Sequence, residues 1–271
     1  MKKCLTLLIL LFYYYEISAI ENPRAGARAL ALSDAVISLS DIWGPFHNQA
    51  GITRLQSLTA AVFYSSPFGL NELAQMAATI ILPTGTGTFG LSYFQYGTAQ
   101  FKETKAGLAF AKKLGSRLSA GIQIDYFSSR FPENKRAGSL ATFEAGTLYK
   151  VSEKLNFGIH VFNPLKQEFN ALSGKVKLPA SLRSGVSFQI SDLVLLCFET
   201  EKTGPEKPRL KTGAEFLLTE NLFVRFGLSG EPFLYSSGIG YRVNKLSANI
   251  GFNYHGNLGI TPSVSIQYNL K

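Results

Sequence analysis

From Ser57 onward the chain alternates polar and apolar residues over long runs, and few folds accept that pattern. Near the C-terminus Leu246, Ala248, Ile250, Phe252 and Tyr254 fall on one face of such a run. Ser247, Asn249, Gly251, Asn253 and His255 fall on the other. Val264, Ile266, Tyr268 and Leu270 repeat the apolar face, as do Leu118, Ala120, Ile122, Ile124 and Tyr126. Successive side chains of a strand point to opposite sides, so each run is a strand with one apolar and one polar face.

A soluble sandwich alternates in the same way. Three details favour a membrane barrel. The runs are about ten residues long, the length a tilted strand needs to cross a bilayer, whereas soluble strands average about five to six. Their polar faces are rich in Gly, Ser, Asn and Gln as well as charges, which suits a wet or internally bonded lumen. Tyr64, Tyr93, Tyr126, Tyr149, Tyr241, Tyr254 and Tyr268 cluster at the ends of the apolar faces, where amphipathic rings meet the membrane–water interface.

The turns fall into two alternating classes. Those at Leu114, Val151, Ile190, Leu218 and Val243 are tight; those from Ser129, Asn163, Glu201 and Ser229 are longer and more polar. Outer-membrane barrels have short periplasmic turns and longer outer loops. Strands are expected to begin near Ser57, Ala74, Gly87, Thr104, Arg117, Ser139, Lys154, Leu182, Leu193, Leu210, Asn221, Ser236, Lys245 and Gly259. That makes about fourteen, an even number as bacterial barrels require. Gly69 to Met76 is also compatible with a helical turn. Lipid cannot satisfy the amides of an open sheet edge, so the first and last strands must pair. The Ser57 region should then lie beside Ser263 to Leu270.

The N-terminus reads as a secretory signal over residues 1–19: Lys2 and Lys3, an apolar core from Leu5 to Tyr15, and small residues ending at Ala19. Cys4 precedes that core and so is no lipoprotein cysteine; cleavage leaves Cys197 alone, without a disulfide partner. The formal charge of +9 falls to about +8 once two lysines and one glutamate leave with the leader. The basic residues are scattered and carry no nucleic-acid motif, which argues against nucleic acid as a partner. No apolar run after the leader is long enough for a spanning helix.

No catalytic or cofactor signature stands out, and the expectation is a non-enzyme without a cofactor. His47, His160 and His255 lack metal-ligand spacing. The Gly-rich stretch from Pro83 lacks a Lys-Ser/Thr ending and precedes a strand, so it reads as a turn. By alternation Asp125, Glu144, Arg183, Glu199, Glu215, Arg225 and Arg242 should point inward. On the lipid face each Arg near the midplane would cost roughly 2–4 kcal/mol. They are expected to pair into a lumen network or to line a selective path.

The segment Gly26–Thr53 does not alternate. It is rich in small residues and carries the only Trp, Trp43. A segment that does not face lipid has no reason to alternate, so residues 20–56 are expected to form a hatch inside a barrel spanning 57–271. Arg28 and Asp41 are its candidates for pairing with lumen charges.

GARALALSDAVISLSD followed by HNQAGI resembles the N-terminal signature of PorV/PorQ-type outer-membrane proteins, which belong with FadL-like barrels. The matching residues are Gly26, Ala27, Arg28, Ala29, Ala35, Asp41, Asn48, Gln49, Ala50 and Gly51. Gln49 stands where Pro is the commoner residue, a form associated with Bacteroidetes-type members. The resemblance covers about thirty residues, and the remainder agrees only in general architecture. It implies a fourteen-stranded barrel with a short N-terminal hatch in the bacterial outer membrane. It implies one of two functions: an accessory of type IX secretion, with secretion components or cargo proteins as partners, or uptake of small hydrophobic ligands. The modest outer loops favour the first. A structural barrel with a sealed lumen is the third reading.

Overall fold

A computed structural model describes residues 22–98, 101–130, 138–171 and 174–270. The leader reading of residues 1–19 lies outside them.

The strands run in chain order as β1 (Thr59–Ser65), β2 (Gln75–Pro83), β3 (Thr88–Gly97), β4 (Lys102–Lys113), β5 (Leu118–Arg130), β6 (Gly138–Lys150), β7 (Leu155–Phe162), β8 (Glu168–Ala171), β9 (Gly174–Lys177) and β10 (Ser181–Ser191). They continue as β11 (Val194–Thr203), β12 (Arg209–Thr219), β13 (Leu222–Ser229), β14 (Leu234–Val243), β15 (Leu246–His255) and β16 (Gly259–Asn269). All except β8 and β9 join one closed antiparallel barrel of fourteen strands. Each of the fourteen begins within two residues of the position expected from the alternation. The barrel closes through β1 and β16, with Thr59 opposite Asn269 and Ser65 opposite Ser263. Gly69 to Met76 holds a turn of 3-10 helix, Asn71–Leu73, before β2 begins.

The expected apolar faces turn outward. On β5, Ile122, Ile124 and Tyr126 are 59, 64 and 55 % exposed, while Gln123 and Asp125 between them are wholly buried. The seven tyrosines are all exposed, but Tyr93 and Tyr126 lie within their strands rather than at the ends. So continuous an apolar exterior has no place in water and is the lipid face of an outer-membrane barrel. The turns at the end with the start of β1 and the end of β16 are all tight, which makes that end the periplasmic one; the long links lie at the other end, with the short β15–β16 link among them.

The link from Asn163 was expected to be a plain loop. It contains instead the two-stranded sheet β8–β9. Strand β7 stops where Pro164 removes a ladder donor and Asn163 turns to a φ of 46°. Strand β6 continues beyond it, and the Asn163 amide N–H donates to the Phe143 carbonyl oxygen at 3.2 Å. The Asn163 side chain accepts from Thr142 Oγ1 at 2.7 Å and donates to the Leu178 carbonyl oxygen at 2.6 Å. The link is thereby fastened to the wall where β7 ends.

Residues Asn22–Arg54 lie within the barrel. The short helix α1 (Ala27–Ala31) packs against β14, β15 and β16. The chain then turns through Ser33 and Asp34, with φ of 52° and 60°. It crosses to the opposite wall, where a 3-10 stretch, Gln49–Arg54, packs against β4, β5 and β6. Inward-facing glycines on the wall admit it. A Cβ on Gly146 would lie 2.1 Å from Asn48 Oδ1, and one on Gly158 would lie 2.3 Å from the Ile37 carbonyl oxygen. Similar approaches at β5, β12, β13, β14 and β15 mark the path of the segment around the barrel.

Candidate functional site

The interior of the barrel is the candidate site, because most of the charged side chains buried by the fold meet there. They form three clusters, each joining wall strands to the N-terminal segment.

On the β4–β7 wall, Lys105 Nζ lies 2.6 Å from Glu144 Oε1 and 3.4 Å from Asp125 Oδ1, with all three side chains fully buried. His160 Nε2 meets Glu144 Oε2 at 2.7 Å. Gln123 Nε2 donates to Asp125, to Glu144 and to the carbonyl oxygen of Pro45 in the segment. Lys105 also donates to Asn22 Oδ1 at 3.2 Å and sits 5.3 Å from the centre of the Phe162 ring.

The second cluster occupies β10–β12. Arg183 donates to Glu199 at 2.7 Å and to the Asp34 carbonyl oxygen at 2.9 Å. Lys211 bridges Glu199 at 3.3 Å and Glu201 at 2.7 Å. Glu199 accepts from the backbone amides of Val36 and Ile37, both at 3.0 Å. Arg24 clamps both oxygens of Glu201 at 2.6 Å and reaches Asp34 at 3.1 Å.

In the third, Arg28 bonds both Glu215 oxygens at 2.7 Å and Asp41 at 2.8 Å. Arg225 shares Glu215 at 2.5 Å and donates to Asn249 at 2.9 Å. Buried charges persist where each has partners of opposite sign and good geometry.

Six of the seven wall charges singled out from the sequence are therefore buried in these clusters. Arg242 stands apart. It is exposed at the periplasmic mouth, where its guanidinium lies 5.1 Å from the centre of the Phe223 ring. Lys105, His160, Glu201 and Lys211 were not singled out as members, yet the same period-two rule reaches them. Glu201 follows Glu199 by two residues, and Lys105 precedes inward-facing Gly107 by two. Arg24 and Asp34 carried no periodic signal.

The segment residues have distinct tasks. Gly26 has a φ of 104°, and a Cβ there would lie 2.6 Å from Trp43 Cδ1. Trp43 is buried against Phe46 and Phe63. Asn48 accepts from the Ala50 amide and donates to the carbonyl oxygens of Ile37 and Thr147, fastening the segment to β6. Gln49 is wholly buried. Gly51 passes close to Leu39, with a would-be Cβ 2.6 Å from its carbonyl oxygen. His47 Nε2 donates to the Ala25 carbonyl oxygen at 2.8 Å.

Two cavities flank the segment. On the long-loop side lies one of about 600 Å³, walled by Phe63, Phe94, Tyr96 and Phe127 and floored by Arg24 and Asp34. On the periplasmic side lies one of about 420 Å³, lined by Arg28, Asp41, Glu215, Arg225, Arg242 and Gln267 among others. The two meet the segment from opposite sides. Among the described residues no group of His, Cys, Asp and Glu is arranged to hold a metal ion.

These features define a fourteen-stranded outer-membrane barrel with the FadL-like fold. Its overall form is similar to the P. putida toluene transporter TodX, with a TM-score of 0.70, 11 % identity, and coverage of 92 % of this chain and 99 % of that one. The CymD monoaromatic hydrocarbon channel gives 0.68 and 13 %, covering 93 % and 99 %. A Pseudomonas aeruginosa FadL homologue gives 0.66 and 13 %, covering 92 % and 99 %. At such identity the likeness is one of fold. No family model and no curated protein matches the sequence.

Proposed function

We propose that this protein is a non-enzymatic outer-membrane channel for small hydrophobic molecules, closed in the described state by its N-terminal segment acting as a hatch. The observation that carries the reading is the aromatic-walled cavity of about 600 Å³ on the long-loop side of that segment. Its size suits a small ligand, and aromatic rings line it together with the charged side chains of Arg24, Asp34, Glu103 and Lys105. The fold shared with channels for toluene and other monoaromatic hydrocarbons supports the same reading.

Uptake of radiolabelled toluene and of a long-chain fatty acid, by cells carrying or lacking the protein, tests it. A faster initial rate for either solute in the carrying cells is expected; equal rates for both would count against a channel. Deletion of residues 25–53 should raise the conductance of the purified protein in planar bilayers. A deleted barrel that folds and conducts no better would show that the segment is not a hatch and favour a sealed structural barrel.

The type IX secretion role rests on the Gly26–Gly51 motif alone, and neither the cavity nor the shared fold adds to it. Co-purification of secretion components or cargo from detergent extracts would revive it.

A further inference from the structure

We propose that the outer cavity is a site for an organic cation, an amphiphile carrying an ammonium group on an apolar body. The proposal rests on the channel reading and narrows its substrate class. It starts from Glu103, which lines the cavity beside Tyr96, Phe94 and Phe63. Glu103 lies directly across the β3–β4 ladder from Tyr96, and Phe94 lies across from Lys105. The Glu103 Oε1 atom is buried and has no hydrogen-bond partner.

That isolation sets Glu103 apart. Asp34 and Glu201 have Arg24, Glu199 has Arg183 and Lys211, and Asp125 and Glu144 have Lys105. Glu215 has Arg28 and Arg225, and Asp41 has Arg28. Glu103 is the one described carboxylate facing the interior without an ion-pair partner. The cation on the same face of its strand, Lys105, is wholly buried and already shared between Glu144 and Asp125.

A neutral hydrocarbon in this cavity would further dehydrate Glu103 and give it nothing in return, which is unfavourable for a carboxylate. An ammonium group would supply the missing charge. The faces of Tyr96, Phe94 and Phe63 would add cation–π attraction, while the apolar body packs on the same rings. One ligand thus satisfies both halves of the lining.

The test uses two probes of the same shape, benzyltrimethylammonium and neopentylbenzene, which differ in replacing N⁺ by carbon. Binding to the full-length purified protein in detergent is measured by calorimetry. The cation is expected to bind about tenfold more tightly than its neutral isostere, within the range of a desolvated cation–π and charge contact. Glu103→Gln should abolish most of that preference and leave the neutral probe's affinity unchanged; Glu103→Asp should retain it. Heat-modifiable migration of both variants checks that they fold. Equal affinity for the two probes in the unaltered protein, or a preference that survives in Glu103→Gln, overturns the proposal. Should toluene or fatty-acid uptake persist in that case, the channel reading stands and only the cation class falls. Loss of both uptake and probe binding removes the two together.

Discussion

At the scale of the residue, the interior is governed by which buried charge meets which. Arg28 is shared between Asp41 in its own segment and Glu215 on the wall, and Glu215 is shared in turn with Arg225. Removing Arg28 leaves Asp41 without an ion partner and Glu215 with Arg225 alone, which weakens the hold of the wall on the segment. Arg28→Ala is therefore expected to loosen the segment, read as faster trypsin cleavage after Arg24 or Arg54. Cleavage as slow as in the unaltered protein would show that the pair does not hold it. Gly158 makes a steric version of the same prediction. A side chain there would run into the Ile37 carbonyl oxygen, so Gly158→Val should expose the segment to trypsin while the barrel still resists heat in detergent. Cys197 is only 1 % exposed. Its thiol should resist a water-soluble maleimide until the barrel is unfolded, and rapid labelling of the folded protein would contradict the described packing.

At the scale of the element, the strands are local and their closure is not. Alternation places a side chain on one face or the other through the geometry of the extended backbone alone. It therefore locates strand starts and picks out the inward direction of Asp125, Glu144, Arg183, Glu199, Glu215 and Arg225. It cannot say that β8 and β9 form within a link, because a pair of four-residue strands is too short to show a period. Closure can be tested directly. Val62 and Ile266 are partners across β1 and β16, and the double substitution Val62→Cys, Ile266→Cys should form a crosslink on oxidation. That bond ties one end of the barrel to the other, so the boiled, unreduced protein should migrate apart from its reduced form. Failure to crosslink in the folded protein would argue for an open edge.

At the scale of the whole molecule, the apolar exterior and charged interior are one arrangement seen from two sides. The outward face satisfies lipid, and the hydrogen-bonded ladder leaves no backbone edge for lipid to meet. The inward face is freed from that constraint, so it can hold charges and glycines that make room for the segment. The protein is expected to fractionate with outer membranes, to need detergent for release, and to change its gel migration on heating. Release without detergent would contradict the exterior described above.

The strand periodicity, the approximate number and starts of the strands, and the two kinds of turn are legible in the chain alone. These follow from local backbone geometry and turn chemistry, which neighbouring residues specify without help. The pairings inside arise only once the barrel is folded. Arg28 and Glu215 are 187 residues apart, and the segment that carries Arg28 follows no period that would orient it. Arg24 and Asp34 gave no sequence signal for the same reason, and nothing in the sequence sets Glu103 apart. That Glu103 lacks an ion-pair partner among the described interior carboxylates depends on where the other charges lie, which is settled when the barrel closes around the segment and distant side chains first meet.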